Sequence, residues 1–69
     1  MDDGYGLINR LRELAKMGRK IDRYESEKGE YGNHRFDLFE KGEFVETIIL
    51  YCRDEDIGSV RKEIDKELA

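Results

Sequence analysis

The sequence predicts an α+β domain of two layers with the element order αβββα: a three-stranded antiparallel sheet with two helices packed on one face. Two observations carry this prediction. Apolar residues recur at helical spacing near both ends of the chain, and a hairpin pattern of β-branched and aromatic residues lies between them. A chain of 69 residues can build one modest core, so residues 1–69 are expected to form a single domain.

Both helices are predicted from apolar stripes. The first is expected over residues 5–17, before Gly18, which suits a helix C-terminus because glycine readily adopts positive φ. Its stripe consists of Leu7, Ile8, Leu11, Leu14 and Ala15. The second helix is expected over residues 55–68, with Asp54, Glu55 and Asp56 capping its first N–H groups. Its stripe consists of Ile57, Val60, Ile64 and Leu68.

The hairpin is the clearest pattern in the sequence. Residues 34–39 and 44–51 flank the turn Glu40-Lys41-Gly42-Glu43. A two-residue loop would place Leu38 opposite Val45 and Asp37 opposite Glu46. A three-residue loop, with Gly42 in the left-handed region, would place Leu38 opposite Phe44. The second register is preferred because it avoids a pair of like charges and gathers five apolar residues on one face: Phe36, Leu38, Phe44, Ile48 and Leu50. In either register Phe39 points to the opposite face.

The remaining strand is predicted between Arg19 and Lys28. This segment is charged and weakly patterned, as is typical of a strand at the edge of a sheet. Gly29 and Gly32 mark the turn that follows it.

Charge is unevenly distributed along the chain. The net charge is −4, but residues 10–23 hold six basic and two acidic residues, whereas residues 25–69 hold seven basic and thirteen acidic ones. A bipolar surface of this kind can steer association with a charged partner or with a second copy of the chain, which makes a homodimer one expected assembly.

Composition argues against several functional classes. One His and one Cys (His34 and Cys52) cannot form a metal site by themselves, and no phosphate-binding loop is present. We therefore expect no enzyme activity, no metal, no cofactor and no small-molecule substrate. The longest apolar run, Ile48–Cys52, is too short to span a membrane. A single cysteine and an acidic first segment, unlike a signal peptide, predict a cytoplasmic location, which is intracellular and reducing.

The αβββα order resembles the double-stranded-RNA-binding domain. Tyr24-Glu25 matches its first strand, Gly32-Asn33-His34 its minor-groove loop, and residues 36–42 its second strand and turn. Where that family opens its last helix with a lysine cluster, this chain has Asp54-Glu55-Asp56. The resemblance implies binding of nucleic acid, here through the basic first helix.

In size, acidity and element order the chain is also similar to small phage-encoded inhibitors, including some anti-CRISPR proteins. This resemblance implies a non-enzymatic module that occupies the basic nucleic-acid-binding groove of a partner protein. The residues expected to contact that basic surface are the carboxylates of the hairpin and of the last helix start, with Phe39 as an apolar anchor. They are Asp37, Phe39, Glu40, Glu43, Glu46, Asp54, Glu55 and Asp56.

The tyrosines are expected to lie in the core or at its rim and not to serve as stacking platforms. They are Tyr5, Tyr24, Tyr31 and Tyr51.

Overall fold

The computed structural model describes residues 3–68, with side chains from residue 6 onward, and confirms the predicted αβββα order. The sequence also offers Asp2 or Asp3 as a cap for the first helix, but Asp2 and the side chains of Asp3 and Tyr5 lie outside what is described. A 3-10 turn, Asp54–Asp56, precedes the last helix. The other elements are α1 (Asp3–Lys16), β1 (Arg23–Lys28), β2 (Asn33–Glu40), β3 (Glu43–Tyr51) and α2 (Ile57–Leu68).

The three strands form an antiparallel meander in the order β1-β2-β3, and both helices cover the same face of it. Side chains alternate across a strand, so every second residue of β2 enters the core. Phe36 and Leu38 are fully buried there. The other buried apolar side chains are Leu7, Ile8, Leu11, Leu14, Ile21, Leu50, Val60 and Ile64. The opposite face of the sheet, called the uncovered face below, has no helix packed on it among the described residues.

The hairpin loop has two residues, so the preferred three-residue loop is wrong. Glu40 and Glu43 pair directly, and Lys41 and Gly42 have φ values of 52° and 82°. Two successive left-handed residues define a turn whose twist matches that of the flanking strands. Lys41 adopts the left-handed conformation, although only Gly42 had been expected to do so.

A β-bulge then changes the register of the hairpin. Phe39 pairs with Phe44, but Leu38 pairs with Glu46, which leaves Val45 as the extra residue. Phe44 therefore lies on the uncovered face. The prediction that Phe44 lies beside Leu38 is wrong. Beyond the bulge the predicted inner-face group is confirmed for four of its five members: Phe36, Leu38, Ile48 and Leu50.

The start of the second helix also differs from the prediction. Asp54–Asp56 form a 3-10 turn whose N-cap, Arg53, makes no side-chain capping bond. The hydrogen bonds that Asp54 and Asp56 accept come from Lys28 and Arg53. Asp54 and Asp56 therefore pair with neighbouring cations, and all three acidic residues lie in the turn ahead of α2, where the prediction placed them. None of the described helices is both long and apolar enough to cross a lipid bilayer.

Candidate partner-binding surface

The fold separates the eight predicted contact residues into four places. Glu40 and Glu43 flank the hairpin loop at one end of the sheet, whereas Asp54–Asp56 follow the last residue of β3 at the other end. Asp37 and Phe39 lie on the uncovered face, and Glu46 lies on the helix-covered face. The set therefore does not form one continuous patch.

Glu46 is engaged inside the molecule. Its two carboxylate oxygens accept hydrogen bonds from Nε and Nη2 of Arg10, both at 2.8 Å. These hydrogen bonds hold the pKa of the Glu46 carboxyl below its usual value. A carboxylate held bidentately by a neighbouring guanidinium has little charge left to offer a partner.

Asp37 and Phe39 also have partners on the uncovered face. Asp37 accepts a hydrogen bond from the Thr47 hydroxyl at 2.7 Å. The guanidinium carbon of Arg23 lies 4.1 Å from the centre of the Phe39 ring. Phe44 meets that ring edge-on, with centroids 6.1 Å apart. Phe39 therefore lies on the predicted face, but it packs within a small aromatic cluster.

The hairpin end of the molecule carries more cations than carboxylates. The main-chain N–H of Lys20 donates to Glu40, and that of Lys41 donates to Asp22, which brings the α1–β1 loop against the hairpin. We call this region the basic end. Its five basic and three acidic residues are Lys16, Arg19, Lys20, Arg23 and Lys41 with Asp22, Glu40 and Glu43.

The opposite end has the acidic excess. Lys28 donates to Asp54, while Arg53 contacts Glu55 at 3.4 Å and Asp56 at 3.2 Å. The hydrogen bond from Lys28 is the main reason that the pKa of Asp54 lies below its ordinary value. We call this region the acidic end. Its residues are Lys28, Glu30, Tyr31, Arg53, Asp54, Glu55 and Asp56, with a net charge of −2.

His34 is buried behind the acidic end. Only 4% of its surface is exposed, and its Nε2 lies 3.5 Å from Oδ1 of Asp54 without a hydrogen-bond partner within the described chain. His34 and Cys52 are the single histidine and the single cysteine of the chain. Within the part of the chain that the structure describes, no three His, Cys, Asp or Glu side chains are grouped to hold a metal ion.

Tyr31 is the feature of this end that sequence reasoning missed. Its surface is 93% exposed, and its φ of 56° lies in the left-handed region, which is uncommon for a residue other than glycine. The expectation that the tyrosines lie in the core or at its rim is therefore wrong for Tyr31, and it is also wrong for Tyr51, which is exposed at the end of β3. The flanking Gly29 and Gly32 signalled a turn, but nothing in the pattern indicated that it would display an aromatic ring.

Tyr31 shares an open depression with charged side chains of the acidic end. Asp54 and Glu55 line it from the 3-10 turn, and Lys28 and Arg53 complete it. The depression therefore combines one exposed ring with two carboxylates and two cations.

Two arginines of the first helix are neutralised within the molecule. Arg10 binds Glu46 and Glu13, and Arg12 binds Glu67 of α2 at 2.9 Å. The pKa of each guanidinium is raised, chiefly by the hydrogen bond to Glu46 or Glu67. The basic charge of α1 that the nucleic-acid hypothesis invoked is thus partly used to hold α1 against β3 and α2.

Comparison with known proteins gives no match of significance: no protein-family model fits the chain, and neither a curated protein nor a solved structure is similar to it.

Proposed function

We propose that the protein is a small acidic protein-binding module that inhibits a partner by occupying its basic nucleic-acid-binding groove, and that the acidic end makes the contact. One observation carries the proposal: Tyr31, almost fully exposed, shares a depression with the carboxylates of Asp54 and Glu55. This combination offers a basic groove an aromatic ring at an end of the molecule whose net charge is −2.

The proposal rests on two physical properties of this surface. A tyrosine orders few torsions when it binds and contributes both apolar area and a hydroxyl group, so tyrosines are frequent among the strongest interface residues. Carboxylates around it steer a basic partner, mainly by raising the association rate. The hairpin carboxylates Glu40 and Glu43 contribute less, because the cations of the basic end surround them.

The experiment compares two charge-reversed variants of the immobilised protein. Proteins captured from a lysate are eluted with duplex DNA or RNA, which competes for the same basic groove. Glu55→Lys with Asp56→Lys should abolish the nucleic-acid-eluted fraction. The matched control, Glu43→Lys with Glu63→Lys, reverses two exposed carboxylates outside the acidic end and should retain it. Equal capture by both double variants would refute the assignment to the acidic end.

A third variant isolates the aromatic ring. Tyr31→Asn keeps a residue that tolerates positive φ, so the turn is preserved while the ring is lost. We expect weaker capture at an unchanged melting temperature. Full capture by Tyr31→Asn would remove the observation on which the proposal rests.

Nucleic-acid binding through the basic end is the second candidate function. Among the described residues, the side chains of Lys16, Arg19, Lys20 and Lys41 take part in no ion pair, which leaves their charges available to phosphates. Reversal of Lys16, Arg19 and Lys20 to Glu tests this candidate without disturbing the ion pairs of Arg10 and Arg12. Tight, salt-dependent binding of duplex RNA by the unmodified protein, lost in this variant, would favour it over the acidic end.

A further inference from the structure

The two edges of the sheet differ in how they are protected. Edge strands expose unpaired N–H and C=O groups, and charged side chains along an edge discourage another chain from pairing there. Four of the six residues of β1 are charged, whereas β3 has only two charged residues among nine. From Thr47 to Cys52 no residue is charged, and the chain contains no proline. The edge at β3 is therefore the unprotected one.

The register identifies which main-chain groups face that edge. The N–H of Cys52 donates to the carbonyl oxygen of Gly32 at 3.1 Å. Hydrogen-bonded and non-hydrogen-bonded pairs alternate along an antiparallel ladder, so Leu50, Ile48 and Glu46 direct their main-chain groups toward β2. The N–H and C=O groups of the intervening residues face away from β2. These residues are Thr47, Ile49 and Tyr51.

The bulge limits the length of this free edge. Val45 interrupts the regular ladder, and a bulge twists an edge so that it pairs poorly with another strand. Only residues 47–51 therefore present a regular, uncharged template. Along it, Ile49 and Tyr51 place exposed side chains on the uncovered face, with 46% and 61% of their surfaces accessible.

We propose that β3 pairs antiparallel with β3 of a second copy of the chain, centred on Ile49, so that two sheets become one of six strands. In this register Ile49 pairs with Ile49 of the second copy, and Thr47 pairs with Tyr51 on both sides of the two-fold axis. All three pairs use the outward main-chain groups, which gives six hydrogen bonds. A contact of this kind is isologous, because each copy contributes the same surface.

The charge distribution argues for a second copy as the occupant of the edge. Antiparallel pairing reverses one chain, which brings the acidic end of one copy to the same end of the joined sheet as the basic end of the other. The register places Glu46 opposite Cys52 and pairs no two like charges directly. The inference goes beyond the proposed function, since its hydrogen bonds come from the main chain of β3 and not from the acidic end.

The first test is the mass of the protein in solution, measured by sedimentation from micromolar to millimolar concentration. We expect a concentration-dependent species of twice the 8.2 kDa chain. Ile49→Lys places two lysines opposite each other and should raise the dimer dissociation constant about tenfold or more. Phe44→Lys is the matched control: it adds the same charge to an exposed residue of β3, before the bulge, and should leave the dissociation constant unchanged.

The register is tested by cysteine cross-linking. Paired strands bring the Cα atoms of opposite residues about 5.5 Å apart, which is within the range of a disulfide. Oxidation of Ile49→Cys should give a covalent dimer, and Phe44→Cys should give no more than the unmodified chain, which contains Cys52. If Ile49→Lys fails to fold, Tyr51→Lys replaces it as the variant that weakens the dimer.

Three results would overturn the proposal. The first is a chain that stays monomeric at every concentration. Pairing of the β3 edge with a strand of a different protein, and not with a second copy, counts as the same result. The second is a dimer that Ile49→Lys and Tyr51→Lys leave intact. The third is equal cross-linking of the two cysteine variants.

Discussion

Arg10 of α1 and Glu46 of β3 form a bidentate ion pair that joins the first helix to the last strand. One residue comes from the basic segment of the sequence and the other from the acidic segment. The charge separation seen along the chain is therefore partly cancelled in space, and what remains is concentrated at the two ends of the sheet.

The Arg10–Glu46 pair predicts a dependence of stability on pH. Because the pKa of Glu46 is lower in the folded protein than its ordinary value of 4.5, its charged form stabilises the fold above that value. This contribution is lost as the pH falls through the lowered pKa. Urea unfolding between pH 7 and pH 3 should therefore show a smaller acid-induced loss of stability in Glu46→Gln than in the unmodified protein. The control is Glu43→Gln, on the same strand but without an ion pair, and it should lose as much stability in acid as the unmodified protein. If Glu46→Gln also loses that much, the ion pair does not stabilise the fold.

The two aromatic residues of β2 should differ in their contributions to stability. Phe36 is fully buried, so Phe36→Ala should cost about 3 to 5 kcal/mol. Phe39 lies on the uncovered face, where its ring contacts Arg23 and Phe44, so Phe39→Ala should cost about 1 to 2 kcal/mol. Denaturant titration of both variants measures the difference. Equal costs would show that the uncovered face is buried in solution, for example against another molecule.

His34 should be replaceable by an apolar side chain of similar size. Its Nε2 is buried without a hydrogen bond, so the native protein already bears the cost of desolvating that atom. We expect His34→Leu to change the free energy of unfolding by less than about 1 kcal/mol. Leu38→Ala, at a neighbouring buried position of β2, provides a comparison that should cost about 2 to 5 kcal/mol. A loss of similar size in His34→Leu would show that the imidazole makes a stabilising contact.

Two substitutions in the hairpin loop should change the stability of the protein in opposite directions. Lys41 has positive φ, which asparagine tolerates better than lysine, so Lys41→Asn should stabilise the protein by about 0.5 kcal/mol. Gly42 also has positive φ, and Gly42→Ala should destabilise it by about 1 kcal/mol, although no atom lies close enough to clash. Thermal melting of the two variants gives both signs. A destabilised Lys41→Asn variant would mean that the lysine side chain itself supports the loop.

The fold was predictable because local patterns and the global arrangement agree. The stripes of α1 and α2 and the alternation in β2 each indicate one buried face, and an amphipathic αβββα chain of this size has few other ways to bury them. The hairpin register was not predictable. It depends on the left-handed conformation of Lys41 and on the bulge at Val45. No side-chain pattern in the sequence predicts either feature.

The candidate site was only partly predictable for a different reason. Sequence position reveals that Asp54, Glu55 and Asp56 lie together, but it does not reveal which carboxylates find cations in the folded chain. Glu46 is engaged by a residue 36 positions away. Tyr31 was missed because its exposure results from the conformation of a turn and not from any periodic pattern.

The extra residue at Val45 gives the two strands of the hairpin different tolerances to changes in length. Removing Val45 would let Phe44 and Glu46 become neighbours in an uninterrupted ladder. All the remaining side chains of β3 would stay on their present faces. Removing a residue from β2 instead would add a second mismatch to the existing one, and Phe36 or Leu38 would have to leave the core. Length variation in relatives of this protein should therefore accumulate in β3 and be rare in β2.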